Sequence, residues 1–117
     1  MLMKEREEIN VVNDQSGSPT YAADLAAAIL RIIREGNWQP GIYHYCNTGI
    51  ITWFDFANAI KELTGSACRI NPIPTSQYPT PAKRPAWSAL DTSKFRSTFD
   101  IPLADWKQSL ATCLARL

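Results

Sequence analysis

A chain of 117 residues, 45% of them hydrophobic, can bury one modest core, and 12 basic against 11 acidic side chains leave a formal charge of +1. That near-neutral balance removes the electrostatic basis for partnership with nucleic acid or an anionic membrane surface, and no apolar run approaches the roughly 20 residues that span a bilayer. The N-terminus lacks the layout of a secretory leader, and Cys46, Cys68 and Cys113 form no CxxC pair, so they read as reduced thiols in a cytoplasmic protein, each a small core residue.

Lys4-Glu5-Arg6-Glu7-Glu8 is a mixed charged run and reads as the solvated face of a helix end. Residues 9–15 begin apolar and predict a short strand. It leads into a dense polar turn, Asn13-Asp14-Gln15-Ser16-Gly17-Ser18-Pro19-Thr20, where Gly17 permits a tight bend. Thr20 is placed to cap a helix running to about Glu35, because Leu25, Ala28, Ile29, Ile32 and Ile33 recur at helical spacing. Gly36-Asn37 stops it. After Pro40-Gly41, the aromatic segment Ile42-Tyr43-His44-Tyr45-Cys46 predicts a second strand, with His44 hydrogen-bonded in the interior.

Asn47-Thr48-Gly49 turns the chain. Thr52, with Asp55 three residues on, has the layout of a capping box. The helix it opens carries Trp53, Phe56, Ala57, Ile60 and Leu63 on one face and ends at Gly65. Residues 69–73 predict a third strand. Prolines 72, 74, 79, 81 and 85 then make an extended, stiff loop. Asp91 is placed to cap a short helix holding Phe95, and a last helix, about Ala104 to Leu117, buries Trp106, Leu110, Cys113, Leu114 and Leu117.

Helices alternating with short strands indicate the α/β class, or α+β for an isolated piece. Three strands are few for an independent sheet, and residues 42–46 want neighbours on both edges, so the fold reads as incomplete. An unpaired edge there also makes a homodimer one expected state.

The chemistry is sparse. The five glycines, at 17, 36, 41, 49 and 65, stand too far apart for a dinucleotide or P-loop fingerprint. A YxxxK pair sets a lysine one helical turn from a tyrosine whose pKa it lowers. The nearest approach, Tyr78 and Lys83, has the wrong spacing and lies in the proline loop. With one histidine and no clustered carboxylates, a metal site has little support. The residues therefore supply no catalytic, cofactor-binding or metal-ligating set.

Trp38, Trp53 and Trp106 read as core or surface-loop residues, while Trp87, in the proline loop, is a candidate to face a ligand. Two polar corners remain. Asp14, Ser18 and Thr20 suit either ordinary strand-to-helix turn chemistry or a binding wall. Arg84, between Lys83 and Pro85, can clamp a phosphate with its fork of donors or pair with a surface carboxylate.

Four blocks in order, "VVNDQSGSPTYAADLA", "GIYHYCNTGIITWFDFANAI", "PIPTSQYPTPAKRPAWSALDTSK" and "DIPLADWKQSL", resemble the C-terminal third of the dTDP-4-dehydrorhamnose reductase family, within the extended short-chain dehydrogenase/reductase superfamily. The resemblance covers residues 9–117 with matching spacing. It implies the substrate-binding portion of a Rossmann-type reductase that passes hydride from NADPH to the 4-keto group of dTDP-6-deoxy-L-lyxo-4-hexulose, giving dTDP-L-rhamnose. The NADPH-binding Rossmann domain, with its Gly-rich loop and Tyr/Lys pair, is absent from residues 1–117, so the chain is expected to be a fragment inactive alone.

Carried over by motif, Asp14, Gln15, Ser18, Pro19 and Thr20 match the family's DQxGxPT corner facing the sugar-nucleotide cleft. Arg84 and Pro85 match its RP step, where relatives bring an arginine toward the nucleotide diphosphate. Residues 42–46 would be a late strand of the main parallel sheet. Trp87 lies where relatives vary. Magnesium at a dimer interface occurs in some members, and nothing in these residues establishes it. The alternative is a noncatalytic binding module, because reductase-like regulatory subunits exist, including that of methionine adenosyltransferase.

Overall fold

The computed structural model describes residues 7–116. In chain order the elements are β1 (Glu8–Val12), β2 (Ser16–Gly17), α1 (Ala22–Glu35), β3 (Ile51–Thr52), α2 (Trp53–Thr64), β4 (Arg69–Ile73), a 3-10 turn (Thr75–Gln77), α3 (Ser93–Phe99) and α4 (Trp106–Ala115). This is the expected mixture of helices and few short strands. The described residues form two compact units, 7–17 with 50–89, and 18–49 with 90–116.

In the first unit β1 and β4 run parallel, with Ile9 opposite Ile70 and Val11 opposite Pro72. Alternation along β1 sends Ile9 and Val11 to the same face. There they pack with buried Ala57, Cys68 and Ile70, joined by Phe54 and Ile60. The core face of α2 is thus the Phe54–Ala57–Ile60 stripe. Trp53 and Leu63, expected inside, are 54% and 41% exposed. Both stripes fit a helical period, and only packing against the β1–β4 pair selects one.

The ends of α2 follow local rules. Asp55 N donates to Thr52 Oγ1 at 3.1 Å and Thr52 N donates to Asp55 Oδ2 at 3.0 Å, closing the capping box. Gly65 ends the helix in the left-handed conformation. Of the charged run at residues 4–8, residues 4–6 lie outside the described residues. Glu8 opens β1 and is not part of a helix end.

The second unit holds α1, α3 and α4. Its core is Ala28, Phe95, Phe99 and Ile101, with Ile32, Tyr43, Tyr45 and Leu103 packed against it. Tyr43 meets Phe99 at 4.8 Å between ring centroids and Tyr45 meets Phe95 at 5.3 Å. Residues 42–46 alternate like a strand, yet they form no ladder with any described residue. The alternation that turns Tyr43 and Tyr45 inward leaves His44 exposed, contrary to its expected interior place.

Thr20 does not cap α1. Its hydroxyl donates to Ser18 O at 3.2 Å and accepts from Asn47 N at 3.3 Å, and Tyr21 takes the N-cap position without a side-chain bond. Asn47, 1% exposed, ties the unit together instead. Its Oδ1 accepts from Tyr21 N at 2.7 Å, while its Nδ2 donates to Asp24 Oδ2 at 2.9 Å and Ala104 O at 3.1 Å. The Ser109 hydroxyl donates to the same Asp24 oxygen.

Asp91 acts one residue ahead of the α3 N-cap, Thr92, accepting from Ser93 N at 2.9 Å. Asp105 caps α4 by accepting from Lys107 N and Gln108 N. That helix buries Leu110 and Ser109, whereas Trp106, Cys113 and Leu114 are half-buried, and Leu117 lies outside the described residues. All three cysteines are free, with Cys46 and Cys68 buried. No helix among the described residues is long and apolar enough to cross a membrane.

Candidate functional site

Because β1 and β4 are parallel, their C-terminal ends lie side by side and both chains turn at the same edge. Asn13 N donates to Ile73 O at 3.0 Å as the ladder closes. Just beyond, the Asp14 carboxylate accepts from Thr75 N on both oxygens, at 3.1 and 3.0 Å, and from the Thr75 hydroxyl. Gln15 Nε2 donates to that hydroxyl at 3.2 Å. The Thr75 hydroxyl bond, then its backbone bond, hold the Asp14 carboxyl below its usual pKa. Asp14 is therefore a tie between two turns and a poor general base.

The proline loop is fastened at its far end as well. Ser16 N donates to Ala86 O at 2.7 Å and Ser88 N donates to Ser16 O at 2.9 Å. These bonds set Trp87 beside Ser16 in a parallel bridge. A Cβ on Gly17 would lie 2.7 Å from Ser88 Oγ, so glycine permits this approach. Fixing the loop at Thr75 and again at Ala86 limits where the intervening residues can go.

Between those ties the first unit holds a pocket of about 450 Å³. Asn10, Val11, Val12 and Gln15 line it from β1 and the following turn, Trp53 from the start of α2, and Tyr78, Thr80 and Arg84 from the proline loop. Its walls are chiefly apolar and aromatic, with a few polar groups and one guanidinium. That mixture suits a small polar molecule carrying an anionic group. Arg84 is exposed and makes no ion pair with a described residue, which leaves its fork of donors open to an anion.

Of the residues singled out from sequence, Gln15 and Arg84 line this pocket together. Asp14 joins them only through Thr75. Trp87 is 61% exposed and is not among the lining residues. Ser18 and Thr20 belong to the second unit, where Thr20 serves the Asn47 network. Sequence reasoning missed Trp53, Tyr78, Thr80 and Asn10. From sequence Tyr78 stands beside the Lys83-Arg84-Pro85 corner and fails as a catalytic pair with Lys83, while Trp53 reads as part of a core stripe. The available signal for Trp53 was its place immediately after a capping box, where a first-turn side chain can face away from the core.

Dinucleotide phosphates favour helix N-termini with free amides. Here Asp24 sits in the first turn of α1, Asp55 caps back within α2, and Asp105 caps α4. A phosphate at any of these ends would meet a carboxylate, so these ends, among the described residues, do not fit a dinucleotide cofactor. No group of three or more His, Cys, Asp or Glu among the described residues could hold a metal ion.

The profile of the RmlD substrate binding domain matches residues 1–117. The chain is 39% identical over 131 residues to a dTDP-4-dehydrorhamnose reductase of Burkholderia thailandensis, covering 99% of this chain and 44% of that protein. A crystal structure of a dTDP-4-dehydrorhamnose reductase from Clostridium acetobutylicum aligns with a TM-score of 0.87 and 39% identity, over 99% of this chain and 41% of that one. The same enzyme from Bacillus anthracis, solved in complex with NADP, aligns with a TM-score of 0.91 and 35% identity, again over 99% and 41%. The chain thus spans less than half the length of these relatives.

Proposed function

The chain belongs to the RmlD substrate binding domain family, and from that membership we propose that it is the part of an NADPH-dependent dTDP-4-dehydrorhamnose reductase that holds the dTDP-sugar. The observation supporting this reading is the meeting of Gln15 and Arg84, from separate limbs of the chain, in one pocket. Arg84 would take the diphosphate with its planar fork of donors. Gln15, pinned through Thr75, would present its amide to the rest of the ligand. Asp14 contributes by holding Thr75 in place.

The complete reaction reduces the 4-keto group of dTDP-6-deoxy-L-lyxo-4-hexulose to give dTDP-L-rhamnose in the cytoplasm. NADPH supplies the hydride, and the described residues offer it no fitting place. Residues 1–117 are then the substrate-binding part, and the dinucleotide-binding domain lies outside this sequence. The chain by itself binds and does not reduce. The homodimer expected from the unladdered residues 42–46 belongs to the same reading, and sedimentation equilibrium giving only monomer at high concentration removes it.

Isothermal titration of dTDP into the 117-residue chain tests the proposal. One saturable site is expected, weakened about 10-fold or more in Arg84→Ala, the loss of a charge-assisted contact. Unchanged affinity in that variant removes Arg84 from the site. NADPH oxidation by the chain alone in the presence of the dTDP-sugar overturns its noncatalytic assignment.

A further inference from the structure

We infer that residues 78–85 form a hinged strap that bends at Ala82–Lys83 and closes over the first unit when an anionic ligand enters. This rests on the nucleotide-sugar reading above and adds a movement to it, made by the proline loop alone.

The strap is held at its two ends and nowhere between. At its start Gln77 N donates to Pro74 O and Tyr78 N donates to Thr75 O, both at 3.0 Å, next to the Asp14–Thr75 tie. At its far end Ala86 O and Ser88 N are bonded to the backbone of Ser16. From Pro79 to Pro85 the one hydrogen bond among the described residues is internal, Thr80 Oγ1 donating to Ala82 O at 2.6 Å. Every residue from Ser76 to Ser88 is exposed, and none joins the buried cluster of Ala57, Cys68 and Ile70. A segment with so little buried and so few bonds moves at small free-energy cost.

The prolines decide how the strap moves. Each fixes its own φ, at 79, 81 and 85, and confines the residue before it, Tyr78, Thr80 or Arg84, to extended backbone. Only Ala82 and Lys83 keep ordinary freedom. The strap is therefore two stiff arms on a two-residue joint, and a hinge needs no more than a few loop residues to absorb the change in φ and ψ. One arm carries Tyr78 and Thr80 and the other carries Arg84. No side chain of either arm is bonded to β1 or α2, so neither arm is latched in its present position. Arg84 lacks an ion-pair partner among the described residues. An entering anion supplies that partner, and its stronger attraction in the closed position shifts the strap toward closure.

Hydrogen exchange of the intact chain with and without saturating dTDP tests this, together with the kinetics of dTDP binding followed by tryptophan fluorescence. In the free chain the amides of Thr80, Ala82, Lys83 and Arg84 should exchange almost as fast as in an unstructured peptide, while those of Ser16 and Ser88 are protected. dTDP should slow the strap amides about 10-fold or more and leave Ser16 and Ser88 unchanged. Trypsin cleavage after Lys83 should slow in parallel. The observed binding rate should level off as dTDP rises, because closure follows encounter. Ala82→Pro stiffens the joint at an exposed position whose amide has no partner among the described residues, so the fold is kept. That variant should bind dTDP about 5- to 10-fold more weakly. Strap amides protected in the free chain, a binding rate linear in dTDP, or wild-type affinity in Ala82→Pro each overturn the strap. The nucleotide-sugar reading survives those results as long as dTDP still binds and Arg84→Ala still weakens it. Failure of the wild-type chain to bind dTDP removes both.

Discussion

Asp14 and Thr75, 61 residues apart, are joined by the Thr75 amide and hydroxyl both donating to one carboxylate. The hydroxyl bond first, and then the amide bond, favour the charged form, so the Asp14 pKa lies below the usual 3.8. Because the folded value is depressed, the linked stability is present above about pH 3.8 and is lost as pH falls through the folded pKa. Thr75→Val removes the hydroxyl and keeps the amide. Carboxyl NMR titration should show the Asp14 pKa rising toward 3.8 in that variant. An unmoved pKa would show that the hydroxyl is not its main cause.

Asn47 should be the most costly polar residue to truncate in the second unit. Asn47→Ala leaves Tyr21 N–H without its partner, strips one donor from Asp24, and removes one donor from Ala104 O, which keeps Thr48 N. Urea unfolding is expected to show a loss of about 2–3 kcal/mol, the scale of stranded buried polar groups. Asn37→Ala gives the contrast, because its bond to Thr98 O is long, at 3.5 Å. That variant should lose no more than about 0.5 kcal/mol. Equal losses would remove the central role given to Asn47.

What the sequence shows clearly is what it encodes within a few residues. Thr52 and Asp55 form their box within the first turn of one helix, and Gly36 and Gly65 end their helices through their own backbone freedom. The third predicted strand falls on Arg69–Ile73 for the same reason. Thr20 defeats local reading because a partner 27 residues away, Asn47, claims its hydroxyl. Trp53 defeats it because α2 has two apolar stripes and only the β1–β4 pair chooses between them. Arg84 and Gln15 were each visible as candidates. Their meeting with Tyr78 depends on the proline loop being tied at Thr75 and Ala86, and no short motif announces that.

Gly49 and Gly36 should respond differently to the same substitution. Both have positive φ, 104° and 63°. Nothing lies near a Cβ on Gly36, so Gly36→Ala should cost about 1 kcal/mol of left-handed backbone strain. A Cβ on Gly49 would overlap the Trp106 ring, 2.8 Å from Nε1 and closer still to Cδ1. Gly49→Ala should therefore cost about 2–4 kcal/mol, as strain and overpacking add. Thermal unfolding of the two variants side by side checks the order, and a Gly49 variant no worse than the Gly36 variant contradicts the close Trp106 contact.

Arg84→Lys separates charge from geometry at the proposed phosphate contact. Lysine keeps the positive charge but replaces a planar fork of donors with a compact ammonium. If Arg84 acts only as a nearby cation, dTDP affinity should persist in the lysine variant and fall with added salt to the same degree in both proteins. If it grips two phosphate oxygens at once, the lysine variant should bind dTDP about 5- to 10-fold more weakly even at low salt, between wild type and Arg84→Ala. The flanking residues favour the second outcome. Pro85 follows directly and Pro81 lies three residues before, so the backbone that carries the guanidinium has little freedom to lose on binding. Titrations at two ionic strengths decide between them, and full retention of affinity by Arg84→Lys eliminates the bidentate contact.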